Sequence, residues 1–233
     1  MTRLVTRRFA SDTELESALA ERLARALAAR GAAAPAVMLS GGRTPLPAYR
    51  ALAARPALAH SPALRVLLSD ERYVPADSPA SNYHQIEPLI AALALPAGAV
   101  LRVRTELPLE DAARDYERQL AALLESGGRI GLGLLGLGAD GHTASLFSAA
   151  DLERARGHLA LAVQRPDGMP GVSVTPELLA RVEEPVFVAA GEDKRAAVRS
   201  LLAGDAGLTA WRAVAGCAQV ELWTDQSAAP ALA

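Results

Sequence analysis

Ile130-Gly131-Leu132-Gly133-Leu134-Leu135-Gly136-Leu137-Gly138-Ala139-Asp140-Gly141-His142-Thr143 is the stretch on which the fold turns. From Ile130 to Ala139 it has no polar side chain, so a strand formed there must be covered on both faces. It then breaks in a glycine turn and delivers an acid, a histidine and the hydroxyls of Thr143 and Ser145, where a helix start is expected. Similar apolar runs lie at 36–39, 64–68, 100–103, 159–163, 172–174, 186–189 and 220–223. Helical patterns separate them at 13–30, 46–54, 109–125 and 194–202. Buried strands alternating with helices predict an α/β fold: a single three-layer α/β/α domain over residues 1–233 with a largely parallel, Rossmann-like sheet. The Ala/Pro-rich segment 226–233 reads as a frayed tail.

Composition narrows the function. Of 233 residues, 51% are hydrophobic and 21% charged, which excludes a disordered chain. A net charge of −2 without a basic run argues against nucleic acid as partner. The longest apolar run is about half of the ~20 residues that a membrane span needs. The acids Asp12, Glu14 and Glu16 follow the N-terminal arginines, which fits neither a secretory signal nor a transit peptide. A single cysteine, Cys217, excludes an internal disulfide. These features predict a cytoplasmic protein. Among 24 basic residues Lys194 is the only lysine, and Asn82 is the only asparagine. That is the imprint of a GC-rich genome, in which a surviving Lys or Asn sits where its shape matters.

In a parallel α/β sheet, ligands bind where loops leave the carboxyl ends of the strands. Three such loops carry chemistry. Ser40-Gly41-Gly42-Arg43-Thr44-Pro45 offers backbone N–H groups at a helix start, with Thr44 as expected N-cap, and suits an anion such as phosphate; an ordinary strand-to-helix turn uses the same residues. Ser69-Asp70-Glu71-Arg72-Tyr73-Val74-Pro75, with Ser81-Asn82-Tyr83 beyond it, either forms a solvated turn with a local ion pair or binds a polyol. The third loop holds His142, whose neutral imidazole can take a proton from water, with Asp140 two residues away to orient it. Gly136, Gly138 and Gly141 satisfy G-x-G-x-x-G, but so do Gly131, Gly133 and Gly136 inside the strand. The run 159–163 is followed by Gln164 and Arg165, not by the acid that a dinucleotide site requires. No cofactor is expected. There is no G-x-S-x-G elbow, and Cys217 has no histidine motif nearby; no metal-ligand pattern stands out either.

Together Leu39 to Pro45, Asp70 to Pro75 with Ser81-Asn82, Gly136 to Phe147 and Gly191-Glu192-Asp193-Lys194 resemble the 6-phosphogluconolactonases, in the larger group that includes glucosamine-6-phosphate deaminases. Arg72 after the Asp-Glu pair and Thr143-Ala144-Ser145-Leu146-Phe147 after the histidine are lactonase-like. The resemblance implies hydrolysis of 6-phospho-D-glucono-1,5-lactone to 6-phosphogluconate in the oxidative pentose phosphate pathway, without metal or organic cofactor. His142 would be the base, Asp140 its orienting group and Arg72 the charge facing the oxyanion. Ser40, Gly41, Gly42, Arg43, Thr44, Asp70, Asn82 and Lys194 would bind substrate. The protein would act on a small phosphosugar lactone as a monomer or small homo-oligomer. The alternatives are a sister deaminase or isomerase, and a sugar-phosphate sensor, which would call for an added DNA-binding helix-turn-helix. One position departs from the resemblance: Gly171 stands where the family has a phosphate-holding arginine. Arg43 is the expected replacement, ahead of Arg165.

Overall fold

The computed structural model describes residues 2–30 and 35–229. Ten strands are present among them: β1 (Arg3–Arg8), β2 (Pro35–Leu39), β3 (Arg65–Leu68), β4 (Asp70–Arg72), β5 (Val100–Leu101), β6 (Arg129–Gly136), β7 (Ala160–Gln164), β8 (Pro170–Val174), β9 (Val182–Ala189) and β10 (Gln219–Thr224). Eight α-helices accompany them: α1 (Asp12–Leu27), α2 (Leu46–Ala53), α3 (Asn82–Leu93), α4 (Leu109–Glu125), α5 (Ala149–Arg154), α6 (Pro176–Leu179), α7 (Arg195–Leu202) and α8 (Thr209–Ala213).

Seven strands form one sheet in the order β1-β10-β9-β6-β2-β3-β5, and every pairing in it is parallel. Alternation along β2 shows the layering. Val37 and Leu39 join the core under α1, α2 and α3, whereas Ala36 and Met38 join the core on the opposite face, with Tyr116 of α4 and Val198 of α7. Leu15, Leu19, Leu23 and Leu27 of α1 lie four residues apart and fully buried, so they make one stripe on the helix. Each contributes roughly 1.5–3 kcal/mol of burial. The glycines of β6 have separate jobs. The β2–β6 register slips between Ala36 and Val37, and Gly131 is the residue left over. At Gly133 a Cβ would press on Val182 and Met38.

The expected α/β class and covered parallel sheet are present, but two of the strands read into that sheet lie elsewhere. β7 and β8 pair antiparallel with each other, and β4 pairs antiparallel with β8, in a second small sheet. Asp70 to Arg72 is thus strand rather than loop. The segment after Asp225 corrects another expectation. Ala228 is buried, its N–H donates to Asp225 Oδ1 at 2.8 Å, and Arg195 Nη2 donates to the Ser227 carbonyl at 3.1 Å. Residues 226–229 are therefore docked; 230–233 lie outside the described residues.

The strand order fixes where a ligand fits. From β2 the chain moves outward to β3 and β5, then returns to place β6 on the other side of β2. The loops after β2 and β6 therefore leave in opposite directions, opening a crevice at the switch point.

Candidate active site

A cleft of about 530 Å³ occupies that crevice, a size usual for small-molecule sites. The loop after β2 forms one wall with Ser40, Gly41, Gly42, Arg43 and Thr44, and the loop after β6 another with Gly138 and His142. Asp70 and Arg72 of β4, Asn82 of α3, Arg165 after β7 and Lys194 close it. Ten expected site residues and Arg165 thus meet there; the eleventh, Asp140, joins them through His142.

The His142 loop is held by its own backbone. Gly138 N–H donates to the His142 carbonyl at 2.9 Å, and Gly141 N–H donates to the Gly138 carbonyl at 3.0 Å. Gly141 has φ +84°, and a Cβ on it would strike Leu208. Ala144 also sits in the left-handed region at φ +48°, strain of the kind that collects at functional sites. Nδ1 of His142 lies 2.5 Å from Asp140 Oδ1, and Phe147 packs on the imidazole with ring centroids 4.3 Å apart. Burial works against the Asp140 carboxylate, but the hydrogen bond and charge of His142 hold its pKa below the ordinary range. No helix starts here, contrary to expectation; α5 begins at Ala149 behind a Ser148–Asp151 capping box.

The loop after β2 presents its backbone. Tyr49 Oη donates to the Ser40 carbonyl at 2.9 Å and anchors the loop's first residue. Gly42 has φ +100° and donates its N–H to Gln85 Oε1 at 3.3 Å. Thr44 does not cap α2, whose N-cap is Pro45 without a side-chain bond. Asn82 Nδ2 donates to the Asp70 carbonyl at 2.9 Å, while its Oδ1 is buried without a partner among the described residues. That oxygen stands where a Cβ on Gly41 would be, which is why a glycine is needed there.

Asp70 and Glu71 support the cleft in different ways. Asp70 accepts from Ser69 Oγ at 3.0 Å and from Ser145 Oγ at 2.7 Å, so both of its oxygens are engaged. Buried Glu71 accepts N–H bonds from Arg72, Asn82 and Tyr83 at 2.8, 2.6 and 2.7 Å, and the Ser81 hydroxyl at 3.1 Å. Burial pushes its pKa up, and the three N–H bonds oppose that rise. It is the carboxylate that fixes the start of α3 and thereby Asn82, a role that residue type and spacing did not reveal.

The cations are unequal. Arg43 has a side chain 92% exposed and stands 3.8 Å from Asp193, so it is splayed into solvent. Lys194 is 19% exposed, 3.5 Å from the same carboxylate. Arg72 Nη1 donates to the Ala80 carbonyl at 2.9 Å. Arg165 is the less exposed of the two arginines weighed for the phosphate, at 13% against 92% for Arg43. Among the described residues no group of three or more His, Cys, Asp or Glu could hold a metal ion. Burial pushes the Cys217 thiol up to about 11, so it carries no reactive thiolate at neutral pH. Among the same residues no helix is long and apolar enough to cross a membrane.

A doubly wound parallel sheet with an imidazole–carboxylate pair facing a glycine-rich loop across its switch point has the layout of a small-molecule enzyme site. Residues 9–221 match the family of glucosamine-6-phosphate isomerases/6-phosphogluconolactonase, and the chain belongs to that family. The 6-phosphogluconolactonase of Synechocystis is 36% identical over 79% of this chain and 78% of its own. That of Thermotoga maritima is 42% identical over 58% of this chain; the match spans 59% of the relative's length. The solved structure of 6-phosphogluconolactonase from Trypanosoma brucei superposes with a TM-score of 0.84 at 26% identity, covering 98% of both chains.

Proposed function

We propose that this chain hydrolyses 6-phospho-D-glucono-1,5-lactone to 6-phosphogluconate, a step of the oxidative pentose phosphate pathway, with His142 as general base. The observation that carries this reading is the 2.5 Å pair of His142 and Asp140 on the cleft wall. With Nδ1–H donating to the carboxylate, Nε2 is left as the acceptor for a water proton. That water attacks C1, the C1–ring oxygen bond breaks, and the imidazolium returns its proton to the departing ring oxygen. Arg72 offers positive charge to the oxyanion that forms at C1. Lys194 and the N–H groups at Gly41 and Thr44 hold the phosphate. A lactone is an activated ester, so this chemistry asks for no metal.

The test is a coupled assay. Freshly prepared phosphogluconolactone is supplied with excess 6-phosphogluconate dehydrogenase, and NADP reduction is followed against spontaneous hydrolysis. Acceleration proportional to added protein supports the proposal. A rate equal to the background, with glucosamine 6-phosphate turned over instead, would move the chain to the deaminase branch.

A further inference from the structure

The small sheet turns a guanidinium toward the cleft that the reaction just described does not use. Arg165 follows β7, and its side chain is 13% exposed. Its Nε and Nη2 donate to Asp167 Oδ2 at 3.3 and 3.0 Å, and its Nη1 donates to Ser145 Oγ at 3.1 Å. Ser145 passes its own proton to Asp70 at 2.7 Å, which ties the guanidinium to β4. An arginine has five N–H groups. One on Nη1 and one on Nη2 remain without a partner among the described residues. The guanidinium carbon also lies 5.2 Å from the ring centre of Phe147, a cation–π distance.

Gly171 makes room for this placement. A Cβ there would stand 2.8 Å from the Glu71 carbonyl and 3.4 Å from Cδ of Arg165. Any side chain at 171 would have to push β8 away from β4 and would crowd the stem of Arg165. The guanidinium is therefore clamped by Ser145, Asp167 and Phe147 before any ligand arrives, which lowers the cost of ordering it on binding.

We infer that Arg165 is a specificity-determining residue, whose two free N–H groups hold phosphoryl oxygens of the substrate. One donor on each terminal nitrogen is the fork that matches two oxygens of a tetrahedral anion. Phe147 lies against both groups, its ring centre 4.3 Å from that of His142 and 5.2 Å from the Arg165 guanidinium carbon. The inference rests on the lactonase reading of the cleft.

The experiment uses Arg165→Met and Arg165→Lys in the full chain, each checked for a wild-type melting temperature. Losing a charge-assisted pair should raise KM for phosphogluconolactone about 10- to 100-fold in the methionine variant, with kcat within a few-fold. Unphosphorylated gluconolactone should be hydrolysed as before. Calorimetric affinity for 6-phosphogluconate should fall by the same factor, and lysine should restore only part of it, since a point charge replaces a fork. Equal losses on both lactones, or no loss on either, would overturn the assignment; if the methionine variant does not fold, a lysine variant with wild-type KM would do the same. A wild-type chain that binds 6-phosphogluconate through Arg165 yet leaves the lactone untouched would sink the lactonase reading and keep this one.

Discussion

Gly138 and His142 compete for one volume: a Cβ on Gly138 would stand 2.2 Å from Nδ1 of His142 and 2.4 Å from Oδ1 of Asp140. The imidazole and its carboxylate partner are folded back over a bare Cα. Gly138→Ala must displace both, and a misplacement near 1 Å costs about 10²-fold in turnover. We expect kcat to fall by that factor while KM moves little. Steady-state kinetics check it; a wild-type kcat would show that the pair needs no such backing.

Replacing His142 by Asn preserves size and one hydrogen bond but removes the base. Turnover should drop by roughly 10²–10⁴, with the affinity for 6-phosphogluconate nearly unchanged. A folded variant turning over at the wild-type rate would exclude His142 as the base.

Asp140 gives a pH prediction. Its pKa is depressed by His142, so it stays a carboxylate until the pH falls below the usual range for an aspartate, and acid loss of activity above that range is not its own. Asp140→Asn removes the acceptor that orients the imidazole, so the plateau kcat should fall. The measurement is kcat between pH 5 and 9; an unchanged plateau would count against the orienting role.

Glu71→Gln tests the buried carboxylate under α3. An amide nitrogen would face backbone N–H groups that now find an acceptor, leaving a buried donor unsatisfied at a cost of about 1–3 kcal/mol. Urea unfolding should show that loss, and KM should rise as Asn82 loosens. An unchanged midpoint would mean that another group caps this helix.

Lys194 and Arg43 separate by exposure. A charge-assisted hydrogen bond is typically worth ~1.5–3 kcal/mol, so Lys194→Ala should weaken binding of phosphorylated lactone by roughly 10- to 150-fold and spare gluconolactone. Arg43, splayed into solvent beside Asp193, should change KM by less than about 3-fold when truncated, in keeping with the small worth of exposed ion pairs. The opposite ranking would place the anion outside the cleft mouth.

Residues that bury themselves without ambiguity were legible from the sequence. β6 announces itself by ten residues without a polar side chain, and the cleft residues at 40–45, 142 and 194 follow from loops that such strands must end in. What stayed hidden has physical reasons. β1 reads Arg-Leu-Val-Thr-Arg-Arg because it is an edge strand paired only to β10, held by its backbone while its charges face water. α3 was masked by Pro88 within it and by a polar start, and its cap depends on Glu71 from another strand. The antiparallel sheet of β4, β8 and β7 shares the apolar pattern of parallel strands, so composition alone could not show its direction. Arg165 gained its importance from the absent side chain at Gly171, a relation between neighbours across two strands rather than along the chain.

One feature of composition becomes an instrument. Lys194 lines the cleft and carries the chain's single side-chain amine, because the other 23 basic residues are arginines. Acylation or reductive alkylation of amines, followed by mass spectrometry of one peptide, therefore reads whether the cleft is occupied, in unmutated protein and without any enzymatic signal. For most proteins such labelling is a blur over many lysines; in this chain it is a single-channel occupancy gauge.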